Sequence, residues 1–160
     1  MAKKAKPVKD SNNQIVASNR KARHNYSILE TYEAGVALVG TEVKSLREGQ
    51  ASLADAFATV DDGEVWLRNL HIPEYHHGTW TNHAPRRNRK LLLHRKQINN
   101  LSSKVAEKGL TLIPLRLYLK GSLAKVEIAL AKGKKLYDKR ASISKREVDR
   151  DIQRTIRRQI

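Results

Sequence analysis

Apolar residues recur along this chain at two periods, alternate positions and every third or fourth, in short runs separated by glycine-bearing turns. From Tyr26 to Val39 the spacing predicts a strand, with Ile28, Tyr32, Val36 and Leu38 on one parity and Gly35 marking a bend or bulge. Gly40 to Gly49 (GTEVKSLREG) predicts a short helix: Val43 and Leu46 stand three apart, Thr41 can cap its start, and Gly49 suits its end. Two strand-like runs follow, Asp55 to Val60 and Glu64 to Ile72, joined by the hairpin signal Asp61-Asp62-Gly63. His76 to Arg89 is polar and reads as a long loop with one apolar anchor, Trp80. His94 to Gly109 carries Ile98, Leu101 and Val105 at helical spacing. Leu110 to Leu119 places Leu115, Leu117 and Leu119 on one face. Gly121-Ser122 turns the chain into Leu123 to Leu130, with Ala124, Val126, Ile128 and Leu130 on one face.

Five or six short antiparallel strands with two inserted helices fit a small closed barrel of the OB type, mainly β with added helices. An open α+β sandwich is the alternative. The flanks differ from this core. Met1 to Ser18 is rich in Lys, Asn and Ser, so residues 1–18 are expected to be a disordered basic arm. Residues 19–132 then form the barrel domain, and residues 133–160 a basic tail. In the tail Val148, Ile152, Ile156 and Ile160 recur every four residues, a narrow stripe that is disordered alone or helical on a partner.

Charge changes the picture from fold to partner. The chain of 160 residues has 32 Lys and Arg against 16 Asp and Glu, a formal net charge of +16. So large an excess favours a polyanion, because a Lys or Arg placed on phosphate releases condensed counterions. The distribution is uneven: +6 over residues 1–23, −6 over 24–85, +6 over 86–96, +3 over 97–131 and +7 over 132–160. No apolar run approaches the ~20 residues needed to cross a bilayer, and no apolar stretch follows the N-terminal lysines. The expectation is a soluble cytoplasmic protein. Absence of cysteine removes disulfides and zinc fingers.

The basic cluster Arg86, Arg87, Arg89, Lys90, Arg95 and Lys96 flanks Leu91-Leu92-Leu93 and reads as a phosphate grip anchored by leucines. Gly133 to Arg140 (GKKLYDKR) has two readings that spacing leaves open. In one, Lys134 and Lys135 meet phosphates and Tyr137 stacks on a base; in the other, the segment is an ordinary basic linker. His71, His76, His77 and His83 fall within thirteen residues, yet no acid or cysteine stands at regular ligand spacing with them. No metal, cofactor or catalytic residue is expected, and the protein is read as a binder rather than an enzyme.

In order, NRKARHNY (Asn19–Tyr26), YEAGVALVG (Tyr32–Gly40), GTEVKSLREG (Gly40–Gly49), KLLL (Lys90–Leu93) and LAKGKKLYDKR (Leu130–Arg140) make the chain similar to the small protein B family. These are the tmRNA (SsrA)-binding proteins of bacterial trans-translation. The resemblance runs from about Asn19 to the C-terminus. It implies an OB-type barrel that binds the tRNA-like domain of tmRNA and delivers it to stalled ribosomes for rescue and tagging. Its tail would act in the small-subunit decoding centre and the empty mRNA channel. Asn19, Glu33, Leu92 and Lys125 match positions associated with tmRNA binding, and Arg20, Arg23, Arg89 and Lys90 are expected beside them. Asp138, Lys139 and Arg140 match the tail motif, expected to act on the ribosome with Lys134, Lys135, Tyr137, Ile152 and Ile156. His94 stands where some relatives carry Asn, and Val148 where some carry an aromatic. Elongation factor Tu and alanyl-tRNA synthetase are expected partners through tmRNA, and the chain is expected to be a monomer.

Overall fold

Two tight turns organise the strands. Asp62 and Gly63 both adopt positive φ, 50° and 74°, which suits the twist of a two-residue hairpin between β3 (Phe57–Asp61) and β4 (Glu64–Arg68). Gly121-Ser122 likewise joins β6 (Thr111–Lys120) to β7 (Leu123–Gly133), which pair from Thr111–Ala131 to Lys120–Leu123. The remaining strands are β1 (Asn13–Ser18), β2 (Tyr26–Val36) and β5 (Arg89–Leu92). Helices α1 (Ala22–Asn25), α2 (Gly40–Arg47), α3 (Arg95–Lys108) and α4 (Leu136–Arg158) complete the elements. The computed structural model describes residues 13–78, 80, 82–134 and 136–158.

All pairings among the described strands are antiparallel, in the order β1-β6-β3-β4-β5-β2-β7, with β7 returning to β6. Six strands therefore close a barrel-like ring, and β1 lies outside it. Strand β6 makes this possible by dividing one edge. Leu112 meets Ala58 of β3, while Arg116 to Lys120 pair with β1. The expected barrel is present, but the expected arm is too long by six residues. Asn13 to Ser18 form β1 because an open stretch of β6 edge offers them backbone partners; the first twelve residues lie outside the described ones.

Two bulges rearrange the predicted faces. In β2 the register shifts between Ile28 and Glu30, and in β6 between Pro114 and Arg116. An extra residue reverses which parity faces inward. Tyr32 and Val36 therefore pack with the barrel core, whereas Ile28 joins a second cluster of Ala22, Ile113, Leu115, Ala129 and Ala131. Leu115 likewise parts from Leu117 and Leu119, correcting the single face expected for them. The bulges sit away from Gly35, whose role is a close approach: a Cβ there would stand 3.3 Å from the Leu92 Cβ. Helix α1 buries Ala22 in this second cluster.

Helix α3 crosses the barrel with Ile98 and Leu101 in the core and is tied to β2 at its polar side. Lys104 pairs with Glu30, Glu30 accepts from the Tyr32 hydroxyl, and Asn100 Nδ2 donates to Tyr32 Oη at 3.3 Å. Partial burial and the Glu30 carboxylate push the Tyr32 phenol up to about 12, so it remains a donor.

Beneath the 73–88 loop lies a buried ion network. Glu42 and Arg89 are both fully buried and bonded to each other. The Arg89 guanidinium also donates to Leu70 O (2.7 Å), Arg87 O (3.0 Å) and Pro85 O (3.2 Å). Glu42 Oε1 accepts from Arg87 Nη2 at 2.5 Å and from the Val39 N–H at 3.1 Å. Arg89 is thus withdrawn from the expected phosphate grip, because its donors face internal acceptors. The start of α2 is held at Val39, and Thr41, the expected cap, instead shares a hydrogen bond of 2.9 Å with His83 Nδ1. Trp80 does not anchor the loop either: it is 92% exposed.

Candidate nucleic-acid interface

Across the outside of the barrel, strand register aligns residues from distant parts of the sequence. Gly35 of β2 lies opposite both Leu92 of β5 and Lys125 of β7, and Lys125 lies opposite Tyr118 of β6. Residues directly opposite share a face, so Leu92, Lys125 and Tyr118 form one row, with Gly35 leaving room between strands. KLLL divides by alternation: Leu91 is 1% exposed in the core, while Leu92 is 55% exposed. Two residues along, Glu33 lies opposite Glu127, and Glu127 opposite Arg116.

This face opens into a cleft of about 580 Å³ against the start of α3. Glu33, Lys90, Leu92 and Lys125 all line it, joined by His94 and Arg95. Four residues expected to bind RNA therefore converge, although Glu33 and Lys125 are far apart in sequence. The cleft is built with an apolar floor, cations at its rim and two carboxylates, Glu33 and Glu64. Lys90 Nζ pairs with Glu64 Oε1 at 2.8 Å, and both side chains are more than 40% exposed. Exposed pairs are worth roughly 0–1 kcal/mol, so Lys90 can exchange this partner for phosphate. Arg95 donates to Gly63 O at 2.9 Å. The predicted basic cluster is thus dispersed. Arg87 and Arg89 serve Glu42, Lys90 and Arg95 edge the cleft, and Arg86 and Lys96 are exposed.

Glu33 is positioned by a residue that sequence reasoning passed over. The Tyr118 hydroxyl donates to Glu33 Oε2, and Tyr118 is 7% exposed. Burial, and then the Glu33 carboxylate, raise the Tyr118 phenol above its ordinary value, so it stays protonated. Beside them Arg116 clamps Glu127, with Nη2 at 2.5 Å and Nε at 2.7 Å from Oε2. Tyr118→Phe is expected to destabilise the chain by about 1.5 kcal/mol, as for loss of a hydrogen bond to a charged acceptor. RNA affinity should fall several-fold because Glu33 loses its tether. Chemical denaturation and RNA titration of the variant check both; unchanged affinity would remove Tyr118 from the interface.

The other expected contacts lie on a different flank. The Asn19 N–H donates to Leu115 O at 2.8 Å and its Nδ2 to Pro114 O at 3.3 Å, so the β6 bulge holds this residue. Asn19 and Arg20 line a smaller cleft with Ser52 and Leu53, and Arg23 is exposed on α1. The Lys134 N–H donates to Asn25 O (2.9 Å) and Lys134 Nζ to Arg23 O (3.0 Å), joining α1 to the root of the tail. Beyond it α4 extends with Val148, Ile152 and Ile156 each more than half exposed, and Arg140 is exposed near its start. Lys135 and Ile160 lie outside the described residues, as do the side chains of Tyr137, Asp138 and Lys139. No group of three metal-ligating side chains occurs among the described residues. His83 is used structurally, its Nε2 donating to Ile72 O at 2.9 Å while Nδ1 meets Thr41.

The family model for the SmpB protein matches residues 16–158. The chain belongs to the SmpB family. It is 71% identical to the SsrA-binding protein of Mycolicibacterium vanbaalenii over 160 residues, covering 100% of this chain and 97% of that one. It is also 68% identical to the SsrA-binding protein of Mycolicibacterium smegmatis over 148 residues, 92% of each chain. A chain from a solved structure concerned with tmRNA–SmpB and the centre of the bacterial ribosome matches with a TM-score of 0.63 and 54% identity. That match covers 74% of this chain and 84% of the solved one. The SmpB barrel thus carries an outer face on which the predicted Glu33, Lys90, Leu92 and Lys125 meet. Tyr118 and the Arg116–Glu127 clamp complete it. Their only sequence signal was polarity: Arg116 and Tyr118 interrupt an otherwise leucine-rich strand.

Proposed function

We propose that this chain is an RNA-binding adaptor, with no catalysis of its own, that binds the tRNA-like domain of tmRNA and delivers it to stalled ribosomes. Tagging of the nascent peptide would follow. The observation that carries this reading is the convergence of Glu33, Lys90, Leu92 and Lys125 in one open cleft of an SmpB-family barrel. Leu92 offers an apolar seat for a base or ribose face, and Lys90 and Lys125 meet phosphates. Glu33 accepts from base amino groups or a 2′-hydroxyl, contacts that suit unpaired rather than A-form RNA. Asn19, Arg20 and Arg23 extend the contact along the flank that leads to the tail. The barrel over 19–132 would hold tmRNA, while the tail over 133–160 would enter the decoding centre and mRNA channel through Lys134, Lys135, Tyr137, Asp138, Lys139 and Arg140. Ile152 and Ile156 would seat α4 there. Elongation factor Tu and alanyl-tRNA synthetase would meet the complex through tmRNA. The chain would act as a cytoplasmic monomer; no helix among the described residues is long and apolar enough to cross a membrane.

Titration with a tRNA-like RNA and with a duplex of equal length tests the reading. Affinity for the tRNA-like RNA should exceed that for the duplex and fall steeply with salt. Leu92→Asp, which places an unpaired carboxylate in the cleft floor, should weaken it by tenfold or more, about 1.4 kcal/mol. Equal affinity for the two RNAs would sink the proposal.

A further inference from the structure

Outside the cleft, the described residues of the 73–85 loop show aromatic rings to solvent, with hydrogen bonds holding Tyr75, Gly78 and Asn82 together. The tip is held by Asn82, whose Oδ1 accepts the Tyr75 N–H (3.1 Å) and whose Nδ2 donates to Tyr75 O (3.1 Å). The Gly78 N–H donates to the same carbonyl at 2.8 Å, and a Cβ on Gly78 would come within 2.6 Å of the Asn82 carboxamide. Its base is tied by Ser45 Oγ to Pro73 O (2.9 Å), Ile72 N to Pro85 O (3.0 Å) and His83 to Thr41 and Ile72. What this frame presents is a ring cluster. The His76 and His77 centroids lie 4.0 Å apart, and that of Tyr75 lies 5.3 and 5.5 Å from them. Lys44 Nζ stands 5.5 Å over the Tyr75 ring. Trp80 is 92% exposed.

Trp80, left in water, forgoes its burial energy, and the chemistry of the rings around the loop says what would cover it. Between Glu74 and Pro85 the sole aliphatic side chain is Ala84, so the segment offers ring faces with almost no aliphatic surface around them. Rings with polar edges beside Lys44 suit flat, hydrogen-bonding heterocycles. Glu48, 3.4 Å from His76, and Glu74 keep the local charge mixed. We infer that the 73–85 loop is a second RNA-binding element on which unpaired nucleobases stack through Trp80, Tyr75 and His77. No described residue of this loop lines the cleft. The inference rests on the RNA-adaptor reading only for the class of partner.

The chain has two tryptophans, so Trp66→Phe leaves Trp80 as the sole indole reporter. Single-stranded oligouridylate and oligoadenylate should shield Trp80 from acrylamide quenching, and a duplex of equal length should not. Because stacking rather than phosphate contact drives it, the response should depend less on salt than binding of tRNA-like RNA does. Trp80→Ala with His77→Ala should weaken single-strand binding roughly tenfold. In Leu92→Asp the Trp80 response should persist, which separates this site from the cleft. If preference for tRNA-like RNA fails while this response persists, the first reading falls and the platform stands. In the unaltered chain, photocrosslinking to 4-thiouridine RNA should mark the Tyr75–Trp80 peptide. No shielding by single strands, equal shielding by duplex, or shielding only by RNA-free ribosomal proteins would overturn the inference.

Discussion

Replacing Glu42 with alanine is expected to cost about 3–5 kcal/mol, a large part of the 5–15 kcal/mol that holds a typical domain together. The change would strand Arg89, fully buried, with its charge unmatched, and would release Arg87 and the Val39 N–H that opens α2. Urea titration should show a lower midpoint at unchanged slope. Joint replacement, Glu42→Leu with Arg89→Met, should recover much of the loss, because burying two charges is itself expensive. Burial alone would raise the Glu42 carboxyl, but hydrogen bonds from Arg87, the Val39 N–H and Arg89 outweigh it and hold it below the usual range. A depressed folded-state value means that this stabilisation is complete above the unfolded value of about 4.3 and is lost as pH falls through the folded one. Glu42→Gln should therefore flatten the acid limb of the stability curve. A Glu42→Ala variant within 1 kcal/mol of the parent would show the network to be dispensable.

Truncation after Tyr137 is expected to abolish peptide tagging while leaving affinity for tRNA-like RNA within about twofold. The cut removes nearly all of α4, whose 23 residues extend roughly 35 Å. None of the described residues removed lines the cleft, and the segment lost carries a net +4 of the chain's +16. Its stripe of Val148, Ile152 and Ile156 is exposed, so the barrel gains little from it. Asp138→Ala with Lys139→Ala and Arg140→Ala should reproduce the defect with the helix length kept. Tag addition on a message lacking a stop codon, in reconstituted translation, reads the outcome. Tagging by the truncated chain would refute the division between barrel and tail.

Where local rules act alone, the chain was readable. Asp61-Asp62-Gly63 and Gly121-Ser122 form the hairpins their turn chemistry predicts, and the stripe Ile98, Leu101, Val105 lies on α3. What alternation could not convey was where it breaks. Nothing in Leu29 or Leu115 announces a bulge, because the extra residue is set by how β2, β6 and β7 must coil to close the ring. Strand β1 was missed since its stability comes from the β6 edge rather than its own composition. Among the arginines, sequence could not separate Arg89, committed to Glu42 from 47 residues away, from exposed Arg86. For the cleft, motif order pointed to Glu33, Leu92 and Lys125, whereas Tyr118 needed the register across β6 and β7.

Closure of the ring has a kinetic consequence. Strand β2 is made early, yet its long pairing partner is β7, so that Tyr26 waits for Gly133. Pairings this distant in sequence are slow to form, because loop entropy is lost before any contact repays it. During synthesis the first 120 residues can assemble hairpins and helices, but β2 keeps an open edge. The cleft, which needs Lys125 beside Gly35, does not yet exist. Any chain released before β7 begins would carry unpaired strand edges and no Lys125 for its cleft. Competence to bind through that face therefore comes only with a nearly finished polypeptide.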